Sequence, residues 1–180
     1  MRSRYKIIVP NETHFLTTTI VQWIPVFYGE EACSIITDAL TYCRAHLGLR
    51  VYAYVVMENH VHLVAEAPAL DRVMQRFKRH TAREIIRLCE RTGRAWVLNQ
   101  FAYYRGKSKA TSTHQVWQEG YHPKCVDDHD SFWQKIAYIH DNPVRRGHVD
   151  APEHWRYSSA RNYLGGGLPV MAIDDIEERS

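Results

Sequence analysis

Hydrophobic and polar positions alternate between two periods along this chain. Residues 14–23, HFLTTTIVQW, are β-branched and aromatic and predict a first strand, broken by Pro25 and Gly29. Residues 30–47 switch to helical spacing, with Ile35, Ile36, Ala39, Leu40, Cys43 and Leu47 on one side and Gly48 as the stop. RVYAYVVM (50–57) predicts a second strand and HVHLVAEA (60–67) a third, joined by a tight hairpin turn at Glu58 and Asn59. After Pro68 the apolar residues Leu70, Val73, Met74, Phe77, Thr81, Ile85 and Leu88 form one stripe of a long helix over about 69–92, stopped by Gly93.

Residues 94–113 read as an irregular basic connection. HQVWQEGYHPKCV (114–126) reads as a fourth strand, interrupted by Gly120 and Pro123. DDHDSFWQKIAYIHDNP begins with helix-capping acids, and Pro143 is the expected stop. The order β-α-β-β-α-β-α predicts an α/β (α+β) fold: a ferredoxin-like, split antiparallel sheet with an additional C-terminal helix. The expected organisation is one domain over residues 1–164, with a core at about 14–144, a polar, aromatic and basic tail at 145–164, and a flexible acidic end at 165–180.

Composition narrows the class. Hydrophobic residues make up 45% of the 180 positions, enough for a core. No apolar run reaches the ~18 residues that span a membrane, and no signal-peptide pattern opens the chain. Cys33, Cys43, Cys89 and Cys125 form no CxxC pair and read as reduced thiols, so the expected compartment is the cytoplasm. Net charge is only +3, but residues 71–109 hold eleven Lys or Arg against three acids. Arg72, Arg76, Arg79, Arg83 and Arg87 fall on the polar side of the long helix, which predicts a polyanion partner.

The candidate chemistry lies in VMENHVHLVAEA. Alternation along a strand puts His60 and His62 on one face with roots ~7 Å apart, while Val61, Leu63 and Ala65 take the core side. Two such imidazoles can converge on a metal, or they are two surface histidines. On the last helix Phe132, Ile136 and Ile139 form the core stripe. Tyr138 and Asn142, at i and i+4, lie off it as neighbours. If that helix covers the open sheet face, Asn142 offers a third, amide-oxygen ligand and Tyr138 stands one turn away. A metal held by two nitrogens and an oxygen keeps open positions that can polarise a phosphodiester. The tyrosine hydroxyl can then attack and become covalently attached, although a free tyrosine ionises only near ~10. Phosphotyrosine conserves the bond energy for rejoining.

These residues resemble a known family. NHVHLV is similar to the histidine–hydrophobe–histidine motif of single-strand DNA endonucleases and transposases. YIHDNPVRRGHV followed by WRYSSARNYLG, with VWQEGYHPKCV before them, resembles the REP-associated tyrosine transposases, over about residues 17–164. The resemblance implies Mg²⁺ or Mn²⁺ dependence, and cleavage of single-stranded DNA beside palindromic repeats to a 5′-phosphotyrosine and a free 3′-OH. It implies His60, His62 and Asn142 at the metal, Tyr138 as nucleophile, and a monomer or homodimer. Arg146 and His148 depart from the family pattern, standing where a small and an apolar residue are expected.

For DNA contacts the candidates are Arg72, Arg76, Arg79 and Arg83 on the long helix, and Lys107 and Lys109 on the basic connection. Arg145, Trp155, Arg156, Ser158, Ser159 and Arg161 are the candidates in the tail. The alternative for each is a solvated face or, for the tail, an anchor to the domain. Glu58 joins the metal only if it shares the histidine face. His114, His122, His129 and His140 lack a partner at ligand spacing and are expected in solvent. Tyr52 and Tyr54 are expected to pack on the sheet surface or to stack on bases. Two rival functions remain: a non-catalytic single-stranded DNA or RNA-binding module, and a metal hydrolase that uses water as the nucleophile.

Overall fold

The computed structural model describes residues 10–105, 113–126 and 128–176. Its elements are β1 (His14–Thr19), α1 (Gly29–Leu47), β2 (Arg50–Val56), β3 (His60–Glu66), α2 (Leu70–Arg91), α3 (Ala95–Tyr103), β4 (Lys124–Cys125), α4 (His129–Arg145) and α5 (Ala160–Leu164). The strands form one antiparallel sheet in the order β2-β3-β1-β4. This is the split arrangement that the element order predicts.

Each face of the sheet packs on helices. Leu16, Val61, Leu63 and Ala65 bury against Ile36, Leu40, Val73, Met74 and Phe77 of α1 and α2. All seven positions of the predicted α2 stripe are buried. On the other face Phe15, Val55 and Val64 pack against Phe132, Ile136 and Ile139 of α4. Alternation along β3 therefore sends Val61, Leu63 and Ala65 to α1 and α2, and His60, His62 and Val64 to the α4 side.

Tyr52 and Tyr54 part company. A register shift between Val51 and Ala53 inserts an extra residue into β2, so Tyr52 joins the α4-side cluster and Tyr54 the α1/α2 side. Both are fully buried, so neither can stack on bases. The exposed sheet aromatics that a base-stacking module needs are missing at these positions.

Three boundaries differ from the sequence pattern. β1 stops at Thr19, because Gln22 and Trp23 take left-handed conformations (φ 53° and 57°). The predicted fourth strand shrinks to Lys124–Cys125; the segment before it follows β1 through scattered bonds such as Gln118 N–H to Thr19 O (2.8 Å). Positive φ at Gly120 and His122 and the missing donor of Pro123 interrupt the ladder. α4 runs through Pro143 to Arg145, since so near the helix end proline forfeits a single bond and His148 N–H closes back on the Pro143 carbonyl (2.9 Å). The first part of the expected irregular connection is helical, as α3.

β2 would be an exposed edge, and the tail covers it. Val56 N–H donates to Tyr157 O, Ser159 N–H to Tyr54 O and Asp174 N–H to Val51 O. Asp174 also takes a forked contact from Arg44 (2.7 and 2.9 Å), and Met171 is buried. The expected flexible acidic end is thus docked over residues 171–175, because its carboxylate meets Arg44 and the open backbone of β2. Among the described residues no helix is long and apolar enough to cross a membrane.

Candidate active site

β3 pairs with β1 so that Thr17 lies opposite His62 and Thr19 opposite His60. Both histidines are nearly buried, and their ring centroids are 4.7 Å apart. Phe15 stacks on His62 at 5.3 Å.

Neighbouring side chains govern the protonation of both rings. The Asn59 amide donates through Nδ2 to the Trp23 carbonyl (3.1 Å), which can only accept. Its Oδ1 therefore faces His60 Nδ1 at 2.7 Å, and that nitrogen must carry the proton. His60 Nε2 is left with its lone pair available. His62 Nδ1 lies 2.9 Å from Thr17 Oγ1, which accepts when Nδ1 is protonated and frees Nε2 in the same way. Burial is the main cause that pushes His60 down to about 4 and His62 to about 3, from an ordinary 6.5; Arg146 lowers both further. Both imidazoles are neutral at pH 7, as ligation requires.

α4 brings the tyrosine. Its core face fixes the helix, and Tyr138 stands with its ring 5.5 Å from His62 and edge-on to Phe15 at 5.8 Å. The Arg145 guanidinium lies over the Tyr138 ring at 5.6 Å. Asn142, one turn on, is buried at 7% exposure. Thr17, Trp23, His60, His62, Tyr138, Asn142, Arg145 and Arg146 line one cavity of about 310 Å³.

The donor set fits a metal held by two imidazoles and a neutral oxygen. Among the described residues no three His, Cys, Asp or Glu side chains form a metal-binding group. Asn142 lines the same cavity and carries a neutral amide oxygen of the kind a third ligand needs. Glu58 is engaged through Oε1, while its Oε2 is buried without a hydrogen bond. It sits in the β2–β3 turn, ion-paired with Arg146 and 3.4 Å from His148 Nε2. The two residues that depart from the family pattern thus share one carboxylate, which ties the end of α4 to the strand that carries the histidines.

The predicted DNA residues separate into groups. Arg72, Arg76, Arg79 and Arg83 are exposed on α2; the last three line a groove of about 380 Å³ with Asp38, Tyr42 and His80. That groove is on the α1/α2 side of the sheet, opposite the histidine cavity. Arg145 lines the histidine cavity, and Arg156 is exposed with Glu30 at 4.0 Å. The other tail candidates are tied to the domain. Ser158 and Ser159 are fully buried, Trp155 Nε1 donates to Val56 O (3.0 Å), and Arg161 Nε donates to Glu153 O (2.9 Å). The serines cannot reach DNA, because backbone pairing along β2 draws them into the sheet edge. Lys107 and Lys109 lie outside the described residues.

His140 overturns another expectation. It is buried, not solvated, with Nε2 2.8 Å from Ser159 Oγ, and burial pushes it down to about 4. Sequence reasoning also passed over Thr17, Trp23 and Asn59 as site residues, and noted Arg146 only as a departure from the family pattern. The pairing register would have revealed Thr17, and Asn59 adjoins the histidine motif. Trp23 carried no local signal.

The family model described as "Transposase IS200 like" matches residues 13–142, which hold both histidines, Tyr138 and Asn142. A protein of Haemophilus influenzae named "Putative REP-associated tyrosine transposase" is 24% identical over 119 residues, covering 63% of this chain and 60% of that relative. The match thus spans less than two thirds of the relative's length. A solved structure, titled as a REP-associated tyrosine transposase bound to a REP hairpin, superposes with a TM-score of 0.62 at 17% identity. It covers 98% of this chain and 93% of that one, so the two share a fold.

Proposed function

This chain belongs to the IS200-like transposase family, and from that premise we propose that it nicks and rejoins single-stranded DNA beside hairpin-forming repeats, through a covalent 5′-phosphotyrosine on Tyr138. The observation that carries the reading is the shared cavity: a tyrosine, two neutral histidines and an amide, with two arginines at its wall.

In this reading the Tyr138 hydroxyl attacks the phosphorus. The Tyr138 O–P bond forms and the P–O3′ bond breaks. The departing oxygen leaves as a 3′-OH, taking up a proton as the phenol gives one up. Rejoining is the same step in reverse, with a 3′-OH attacking the phosphotyrosine. Arg145 and Arg146 place positive charge where the phosphate oxygens would lie. His60, His62 and Asn142 would hold Mg²⁺ or Mn²⁺, which supplies polarisation of the phosphate when bound. Two imidazoles are softer donors than the oxygens Mg²⁺ prefers, so activity should appear at lower Mn²⁺ than Mg²⁺ concentration in a metal titration.

The solved structure that holds a REP hairpin suggests hairpin DNA as the substrate, and the family resemblance adds a single-stranded flank. The test uses labelled hairpins from repeats flanking the chain's own coding sequence. A metal-dependent protein–DNA band on a denaturing gel, absent from Tyr138→Phe and His60→Ala, is the expected result. Cleavage that survives Tyr138→Phe without an adduct would make water the nucleophile. Binding with neither cleavage nor adduct would leave a nucleic-acid-binding module.

A further inference from the structure

Trp23 is the unusual residue at this site. It is 54% exposed, yet it lines the cavity that holds the histidines and Tyr138. Its ring meets His60 edge-on at 6.2 Å. It follows Gln22 in a pair of consecutive left-handed conformations, a backbone that bulky side chains rarely adopt. The surroundings hold it there. The Asn59 amide binds the Trp23 carbonyl and, through its other end, the His60 ring. Ile20 N–H donates to Asn59 O, and Val26 and Phe27 N–H both donate to Glu58 O. The turn before the histidine strand therefore fixes an exposed indole at the mouth of the cavity. Burial does not explain this placement, since most of the side chain faces solvent.

We propose that Trp23 is a stacking platform for an unpaired nucleobase next to the phosphate that occupies the cavity. A base whose phosphate lies among the histidines and arginines must leave its own stack to enter, and an indole face replaces that stacking regardless of base identity. The strained loop keeps the ring ready before DNA arrives, so little ordering is lost on binding. The inference rests on the single-stranded DNA reading above and adds a subsite to it.

The test measures binding in the Tyr138→Phe background, where cleavage cannot interfere. The probe is the same hairpin with its single-stranded flank, intact or with one abasic nucleotide at each flank position in turn. The parent should lose roughly ten-fold in affinity when one particular base is removed. Trp23→Leu should bind intact DNA roughly ten-fold more weakly and become indifferent to that abasic position. Trp23→Phe should stay near the parent and keep the sensitivity. Leucine and phenylalanine are both large and apolar, so a difference between them reports the aromatic face and not the fold. Equal affinities for the Leu and Phe variants, or an abasic profile unchanged in Trp23→Leu, would overturn the proposal. Loss of the stacking signal with the adduct intact in Tyr138-bearing protein sinks only this subsite. Stacking without an adduct in that protein sinks only the transposase chemistry.

Discussion

Two short polar side chains decide which nitrogen each histidine of the cavity offers. Asn59 fixes the His60 proton on Nδ1, and Thr17 does the same for His62 when it accepts. Removing such partners typically lowers metal affinity ten- to a hundred-fold. Asn59→Ala should therefore weaken Mn²⁺ binding in calorimetry by roughly that factor, while His60→Ala abolishes it. At the same scale, Glu58 restrains Arg146. Glu58→Gln keeps the shape but removes the charge, so Arg146 gains freedom to swing. The expected outcome is tighter DNA binding with a slower single-turnover rate, because attraction rises while the end of α4 loses its tether.

α4 works as an element with two tasks on two faces. Tyr138 and Asn142 look into the cavity, while His140 looks to the tail and meets Ser159. Ser159 Oγ in turn accepts from Tyr54 N–H (2.9 Å), so one buried hydroxyl joins α4, the tail and β2. The two sequence motifs that carried the family resemblance are thus mutual packing partners as well as site motifs. Ser159→Ala leaves a buried imidazole and a backbone N–H unpaired, at a cost of about 1–3 kcal/mol. A lower midpoint in urea denaturation would show it, and Ser159→Thr should recover part of the loss if the extra methyl fits. A merely solvated serine would give no change.

Over the whole molecule, charge and chemistry are divided by the sheet. The α2 arginines face one side and Tyr138 the other, so a DNA that touches both must pass around a sheet edge. Arg79→Glu with Arg83→Glu should therefore weaken binding of a long hairpin substrate and flatten its salt dependence. The same pair should leave the single-turnover rate on a short, saturating single strand nearly unchanged. Buried histidines also give the fold an acid limit. His60, His62 and His140 are neutral when folded, pushed down to about 4, 3 and 4 from 6.5. The unfolded chain takes up protons first as pH falls below 6.5, so stability is full above that point and drops toward pH 4. For His140 alone the loss is about 3 kcal/mol. Urea midpoints of the metal-free protein should fall across this window, and less steeply in His140→Gln.

The sequence by itself determined the helix stripes, the β2–β3 hairpin, the antiparallel split order and the shared face of His60 and His62. Those properties follow from periods of 2 and 3.6 residues, which local sterics impose on any backbone. It also placed Tyr138 and Asn142 one turn apart. Tertiary structure alone decided what meets across those elements. An extra residue in β2 sent Tyr52 and Tyr54 to opposite faces, which no alternation rule anticipates. Backbone pairing along an open strand edge drew Ser158 and Ser159 inward and docked Asp174, because unpaired N–H and C=O groups are costly wherever they are buried. Ser159 and Glu58 gained their roles from neighbours distant in the chain. The spacing of a motif fixes which side chains share a face, and only packing settles which of those faces meet.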